Sequence, residues 1–147
     1  MLSQTAEYAL RAVVCLAGAA DQRLTTPEIA EQTQVPAGYL SKVLQLLGRA
    51  GLVRSQRGLG GGFTLARSTA EINILEVINA VDPIQRITTC PLGVPGHGIR
   101  LCRLHHRIDQ ALATVEEVFR ATTVADLLDP AGDGALCSND QRPEPLR

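Results

Sequence analysis

The sequence predicts a mainly α-helical fold with one small β-hairpin, and three observations point to it. The 147 residues include two Tyr, two Phe and no Trp, so the core must be aliphatic, which suits packed helices better than a β-sandwich. Apolar residues recur at helical spacing in four separate segments. A single glycine-rich stretch near residue 60 interrupts that rhythm.

At this length one domain is expected, and 45% hydrophobic with 20% charged residues excludes collagen-like, wholly disordered and multidomain classes. Along the chain, Ala6, Leu10, Val13 and Ala17 mark the buried stripe of a first helix over residues 3 to 20. Thr25 and Glu28 are spaced as a capping box with Pro27 in the first turn, predicting a short helix from about Thr26 to Thr33. Pro36 then forces Val35 out of helical geometry. Leu40, Val43, Leu44 and Leu47 define a third helix that ends near Gly48 to Gly51. Leu52–Gln56 and Phe63–Ala66 read as strands around Gly58, Leu59, Gly60, Gly61 and Gly62. Ser68 and Glu71 are spaced to cap a helix reaching residue 82 through Leu75, Ile78 and Val81. Arg103 to Arg120 carries a stripe of Leu104, Ile108, Ala111, Leu112, Val115 and Phe119, about 27 Å long at helical rise. Thr123 to Leu128 fits a last short helix, and residues 130–147, with Cys137, are too poor in apolar side chains to fold.

The net charge of -1 conceals an asymmetry. Residues 1–67 hold seven Lys or Arg against four acids, and residues 68–147 hold seven against eleven. Between residues 36 and 67, Lys42, Arg49, Arg54, Arg57 and Arg67 occur without any acid. Such a cluster fits either a solvated helix face or a polyanion footprint. Its placement decides for the latter. On the third helix the face opposite the apolar stripe is Gly38, Ser41, Lys42, Gln45 and Arg49, taking 100° per residue. A short helix, a tight turn and a helix with this outward face form a helix-turn-helix, whose second helix enters the DNA major groove. Ser41 and Gln45 are placed for base edges, whereas Lys42 and Arg49 suit phosphates. The hairpin that follows is a wing. Arg54 and Arg57 flank its tip, and Gly60 with its neighbours lets the backbone lie against a phosphate or a narrow minor groove. A nucleotide-binding loop is excluded, because Phe63 stands at the third glycine position and a strand follows where the motif needs a helix.

Three stretches, TAEYALRAV, PAGYLSKVLQLLGRAGLVRSQRGLGGGFTLAR and ILEVINAVD, resemble the Rrf2-type bacterial winged-helix regulators over about residues 1–129. The resemblance implies a winged helix-turn-helix domain in residues 1–82, a ligand loop in 83–102, a long C-terminal dimerisation helix with a return helix in 103–129, and a disordered tail in 130–147. It also implies a homodimer on a double-stranded DNA operator, more often as a repressor.

Cys90, His97, Cys102, His105 and His106 crowd residues 90–106, in a segment rich in Pro and Gly that runs into a helix, which is metal-ligand chemistry. By resemblance to cluster-binding family members, Cys90, Cys102 and His105 fall on the first cysteine, third cysteine and histidine of the family's loop. The middle cysteine is absent, with Gly96 and His97 nearby. Glu7 stands where some members supply an acidic ligand from the partner's first helix. The implied set is Cys90, Cys102 and His105 with Glu7 of the second subunit, His97 being the reserve, around an iron-sulfur cluster of the 2Fe-2S rather than the 4Fe-4S type that senses redox, nitric oxide or iron-sulfur status. Arg11 occupies a position used by a histidine ligand in one mixed-ligand member, and it cannot ligate. Three other readings stay open: zinc, a reversible Cys90–Cys102 dithiol switch, and an idle loop. Glu7 with Arg11 also suits a surface ion pair worth about 0.3 to 0.5 kcal/mol. Cys15 reads as core.

The apolar run from Ala12 to Ala20 is too short to span a bilayer and lacks a basic flank, so a cytoplasmic protein without a membrane partner is expected. Neither a nucleophile with its base nor a phosphate loop speaks for an enzyme. A cluster-free regulator responding to a small molecule is the alternative.

Overall fold

A computed structural model describes residues 2–93 and 100–128. Gly96 and His97, Cys137 and the expected tail lie outside them. Helix α1, Gln4–Gly18, starts where the Ser3 hydroxyl accepts a hydrogen bond from the Ala6 amide at 3.2 Å. Helix α2, Thr26–Thr33, opens with the Thr25 amide and hydroxyl both donating to the Glu28 carboxylate at 2.7 Å. It stops at Gln34, whose left-handed φ of 56° turns the chain, and α3 follows as Ala37–Arg49. Strands β1, Val53–Gln56, and β2, Gly62–Leu65, pair antiparallel with Val53 opposite Leu65 and Gln56 opposite Gly62. Helices α4, Ile74–Val81, and α5, Arg103–Ala121, complete the order.

The core lies where α1, α2, α3 and α4 meet. Ile29, Leu40, Leu44, Leu47, Val13 and Val77 are fully buried there, and each such side chain contributes about 1.5 to 3 kcal/mol. Cys15 is buried in the same cluster, its thiol donating to Gln32 Oε1 at 3.3 Å, and burial pushes its pKa up. A second cluster of Ala6, Ile74 and Ile78 packs against Ile84 and Phe119.

Three boundaries differ from the sequence reading. The pair Ser68 and Glu71 does form, with the hydroxyl donating at 2.8 Å, but it closes a turn rather than opening a helix. Ile72 is then fully buried and its carbonyl accepts from the Val124 amide at 2.8 Å, while the Ile74 amide donates to Thr122 at 3.0 Å. That extended pairing delays α4 until Asn73, whose side chain caps Glu76 at 2.9 Å and receives the reciprocal bond. Strand β1 begins one residue later than expected, after Leu52, and β2 shifts one residue earlier, so that Ala66 follows it. The last helix shrinks to one 3-10 turn, Ala125–Leu127, because Val124 is committed to the core.

Candidate nucleic-acid interface and metal centre

The apolar period of α3 turns Leu40, Val43, Leu44 and Leu47 into the core, and the same period leaves Ser41, Lys42, Gln45 and Arg49 exposed. Among the described residues, Lys42, Arg49 and Arg57 make no ion pair, so their charge is free for an anion. Ser41 is partly spoken for, its hydroxyl donating to the Ala37 carbonyl at 3.1 Å. Between α3 and β1 runs an open groove of about 590 Å³ lined by Ser41, Gln45, Arg49, Arg54 and Phe63 among others. Recognition helix and wing therefore share one surface.

The wing is fixed more firmly than a two-stranded hairpin. Leu24 forms a third, one-residue strand: its amide donates to the Phe63 carbonyl at 3.1 Å and its carbonyl accepts from the Phe63 amide at 2.8 Å. Gly62 permits this approach, since a Cβ there would lie 2.7 Å from the Leu24 carbonyl oxygen, at a φ of 145°. Arg54 donates to the Ala66 carbonyl at 3.3 Å. Arg23 reaches the Gly60 carbonyl at 3.4 Å from outside the hairpin. Sequence reading missed Arg23 and Leu24, because one bridging residue leaves no period. It also passed over Tyr39, which is 62% exposed at the start of α3 and sits edge-on to Tyr8 with ring centroids 6.2 Å apart. An aromatic on an exposed helical position was the available signal.

Cys102 stands at the N-cap position of α5, and His105 lies in its first turn. His105 Nδ1 is 3.1 Å from the Cys102 sulfur and 3.7 Å from the Cys90 sulfur. Ligand atoms of Cys90, Cys102 and His105 all lie within 4.8 Å of one another. The Cys102 thiol is held below its ordinary value, first by the His105 backbone amide and further by the Leu104 amide and Cys90, against an opposing desolvation. Helix amino termini favour thiolate in this way. Two sulfurs and one nitrogen at such separations fit the donor chemistry of zinc and of mixed-ligand iron-sulfur centres.

Glu7 is not part of this group. It is exposed on α1 and ion-paired with Arg11, whose guanidinium also reaches the Thr33 carbonyl at 3.5 Å. Helix α5 itself has no buried residue. Leu104, Ile108 and Val118 are 63%, 41% and 56% exposed, so these apolar side chains are uncovered in a single chain, whereas Leu112, Val115 and Phe119 are half-buried.

A helix-turn-helix with an unpaired cationic face, followed by a hairpin on the same surface, defines a winged-helix DNA-binding protein. The chain belongs to the Rrf2 family, whose description is "Iron-dependent Transcriptional regulator" and whose pattern matches residues 2–130. It is 33% identical over 135 residues to the HTH-type transcriptional regulator NsrR of Geobacillus kaustophilus, covering 87% of this chain and 89% of that protein. To NsrR of Bacillus licheniformis it is 30% identical over 130 residues, covering 86% and 91%. Among solved structures it is similar to CymR, the global cysteine regulator of B. subtilis, with a TM-score of 0.72, 25% identity and coverage of 86% and 95%. T. potens IscR shares the fold, with a TM-score of 0.71, 24% identity and coverage of 86% and 84%. The protein is accordingly a transcriptional regulator and not an enzyme. No helix among the described residues is long and apolar enough to cross a membrane.

Proposed function

We propose that the protein is a homodimeric repressor whose grip on an operator is set by an iron-sulfur cluster, of the 2Fe-2S type, that reports redox, nitric oxide or iron-sulfur status. The observation that carries this reading is the convergence of Cys90, Cys102 and His105 within 4.8 Å in a chain of the Rrf2 family. Cys90, Cys102 and His105 would hold the cluster from one subunit, and Glu7 of the second subunit would complete the set after giving up Arg11. Such a group supplies one-electron chemistry at a potential that imidazole raises above that of an all-thiolate site. The chain's own part is mechanical. Ligation would tie the segment ending at Cys90 to the first turn of α5, and Glu7 would link that turn to the first helix of the opposite DNA-binding domain. Loss of either bond would let the two recognition helices change spacing, for which a differential binding energy of about 1 to 3 kcal/mol suffices. The exposed apolar side chains of α5 support a seam between two copies.

A second reading has its own observation. Separations of 3.7 and 3.1 Å between donors lie one within and one just below the edges of a single tetrahedral site, about 3.3 to 3.8 Å for zinc-ligand bonds of about 2.0 to 2.3 Å. Anaerobic purification decides between them. Iron and inorganic sulfide in equal amounts with visible absorption bear out the cluster, a stoichiometric colourless zinc protein replaces it with zinc, and metal-free protein with full operator affinity rejects both.

A further inference from the structure

Eleven residues separate Cys90 from Cys102, so closeness in sequence does not hold the two thiols together. Cys102 and His105 need no such help, because the start of α5 carries both. Cys90 arrives by another route. Ile84 packs on the second apolar cluster, as does Phe119 of α5. From there the chain follows α5 backwards. Arg86 binds Asp109 through Nε and Nη2 at 2.7 Å each and Glu116 through Nη1 at 3.0 Å. The Ile87 amide donates to Asp109 at 3.0 Å, and Cys90 ends 3.7 Å from His105. Contacts at 86, 87 and 90 thus follow the helix from its carboxyl end toward its amino end.

The lengths agree. From Asp109 back to His105 the helix covers about 6 Å at 1.5 Å per residue, well inside the roughly 10 Å that the three steps from Ile87 to Cys90 can span. The segment is a strap with reach to spare and bends at Thr89, so the fastening at Arg86 and Ile87, one turn from His105, sets where Cys90 falls. We propose that Arg86 is the positioning residue of the metal centre: by joining Asp109 to Glu116 it sets how far the strap reaches along α5 and brings the Cys90 thiol onto Cys102 and His105. Arginine suits this place because its planar fork meets Asp109 with two nitrogens while the third reaches Glu116, a geometry that an ammonium matches only in part. The side-chain bonds of Arg86 all go to α5, outside the core where α1 to α4 meet, so its loss should leave the winged domain intact.

The inference rests on reading the three side chains as one centre, yet the placement of Cys90 exists without any metal and is measured that way. Full-length metal-free protein carrying Cys137→Ser is equilibrated with glutathione buffers. The Cys90 and Cys102 thiols lose two protons and two electrons to form one S–S bond, as one glutathione disulfide is reduced to two glutathiones. The equilibrium constant is the effective concentration of one thiol at the other, and peptide mass mapping verifies the pair. Arg86→Ala lowers it at least tenfold, Arg86→Lys restores part, and Asp109→Asn matches Arg86→Ala without adding to it. Zinc affinity falls in the same order, while helicity and operator binding by metal-free protein stay unchanged. An Arg86→Ala protein with the parent's effective concentration overturns the proposal, and Asp109→Asn decides it equally should that variant not fold. Protein that never takes up iron but shows the tenfold loss removes only the cluster.

Discussion

At the scale of single residues the structure separates side chains that hold from side chains that wait. Gly62 holds: an alanine there would drive its methyl to 2.7 Å from the Leu24 carbonyl oxygen at a φ of 145°, costing about 1 to 3 kcal/mol. Gly62→Ala should lower the urea midpoint of unfolding by a matching amount, with an unchanged slope. Arg57 and Gln45 wait, both exposed and facing solvent beside the groove or at the wing tip. Arg57→Ala should weaken operator binding on every sequence and reduce the salt slope by about 1, as expected for one lost phosphate contact. Gln45→Ala should alter preference at one base pair by about 1 to 3 kcal/mol. Titrations against operator and scrambled duplexes at several salt concentrations distinguish the two effects.

Among the elements, the strap before Cys90 and α5 are joined by charge, which makes their union sensitive to acid. The Arg86 guanidinium holds the Asp109 carboxyl down at about 2, from an ordinary 3.8, with the Ile87 amide assisting. A group depressed by folding contributes its stabilisation in full above the unfolded value and loses it as pH falls toward the folded one. The strap should therefore detach between pH about 4 and 2, with the Ile87 amide resonance moving in step while α3 signals hold. Element-level legibility in the sequence follows the range of the interaction. Periodicity exposed α1, α3 and α5, and Pro36 marked the turn, because these depend on neighbours within a few positions. The donors Cys90, Cys102 and His105 stood out for the same reason, as scarce residue types crowded together. Two capping patterns five residues apart competed for the start of α4, and only the burial of Ile72 chooses the later one. Arg86 meets partners 23 and 30 residues away, so no local pattern announces it. Glu7 has a local partner in Arg11, and its proposed ligand role depends on a second chain.

For the whole molecule the two surfaces of interest lie on different elements, the cationic face on α3 and the hairpin, the exposed apolar side chains on α5. Replacing Leu104 and Ile108 by Glu should leave helicity intact, since both are already exposed, and should convert the protein to monomers in sedimentation equilibrium. About 1.5 to 3 kcal/mol per apolar side chain is withdrawn from the proposed seam, and operator affinity should fall with it, because two half-sites are no longer read together. The backbone pairing of Leu24 with Phe63, and the reach of Arg23 to Gly60, bear on that affinity too. A floppy hairpin has to be immobilised when a duplex arrives, and the ordering entropy subtracts from binding. Here the loop between the first two helices has already done the immobilising. A hairpin fixed in this way would meet a groove at a preset angle, and operator selectivity should then respond to substitutions at Arg23 in the loop behind it as well as to those on the recognition helix.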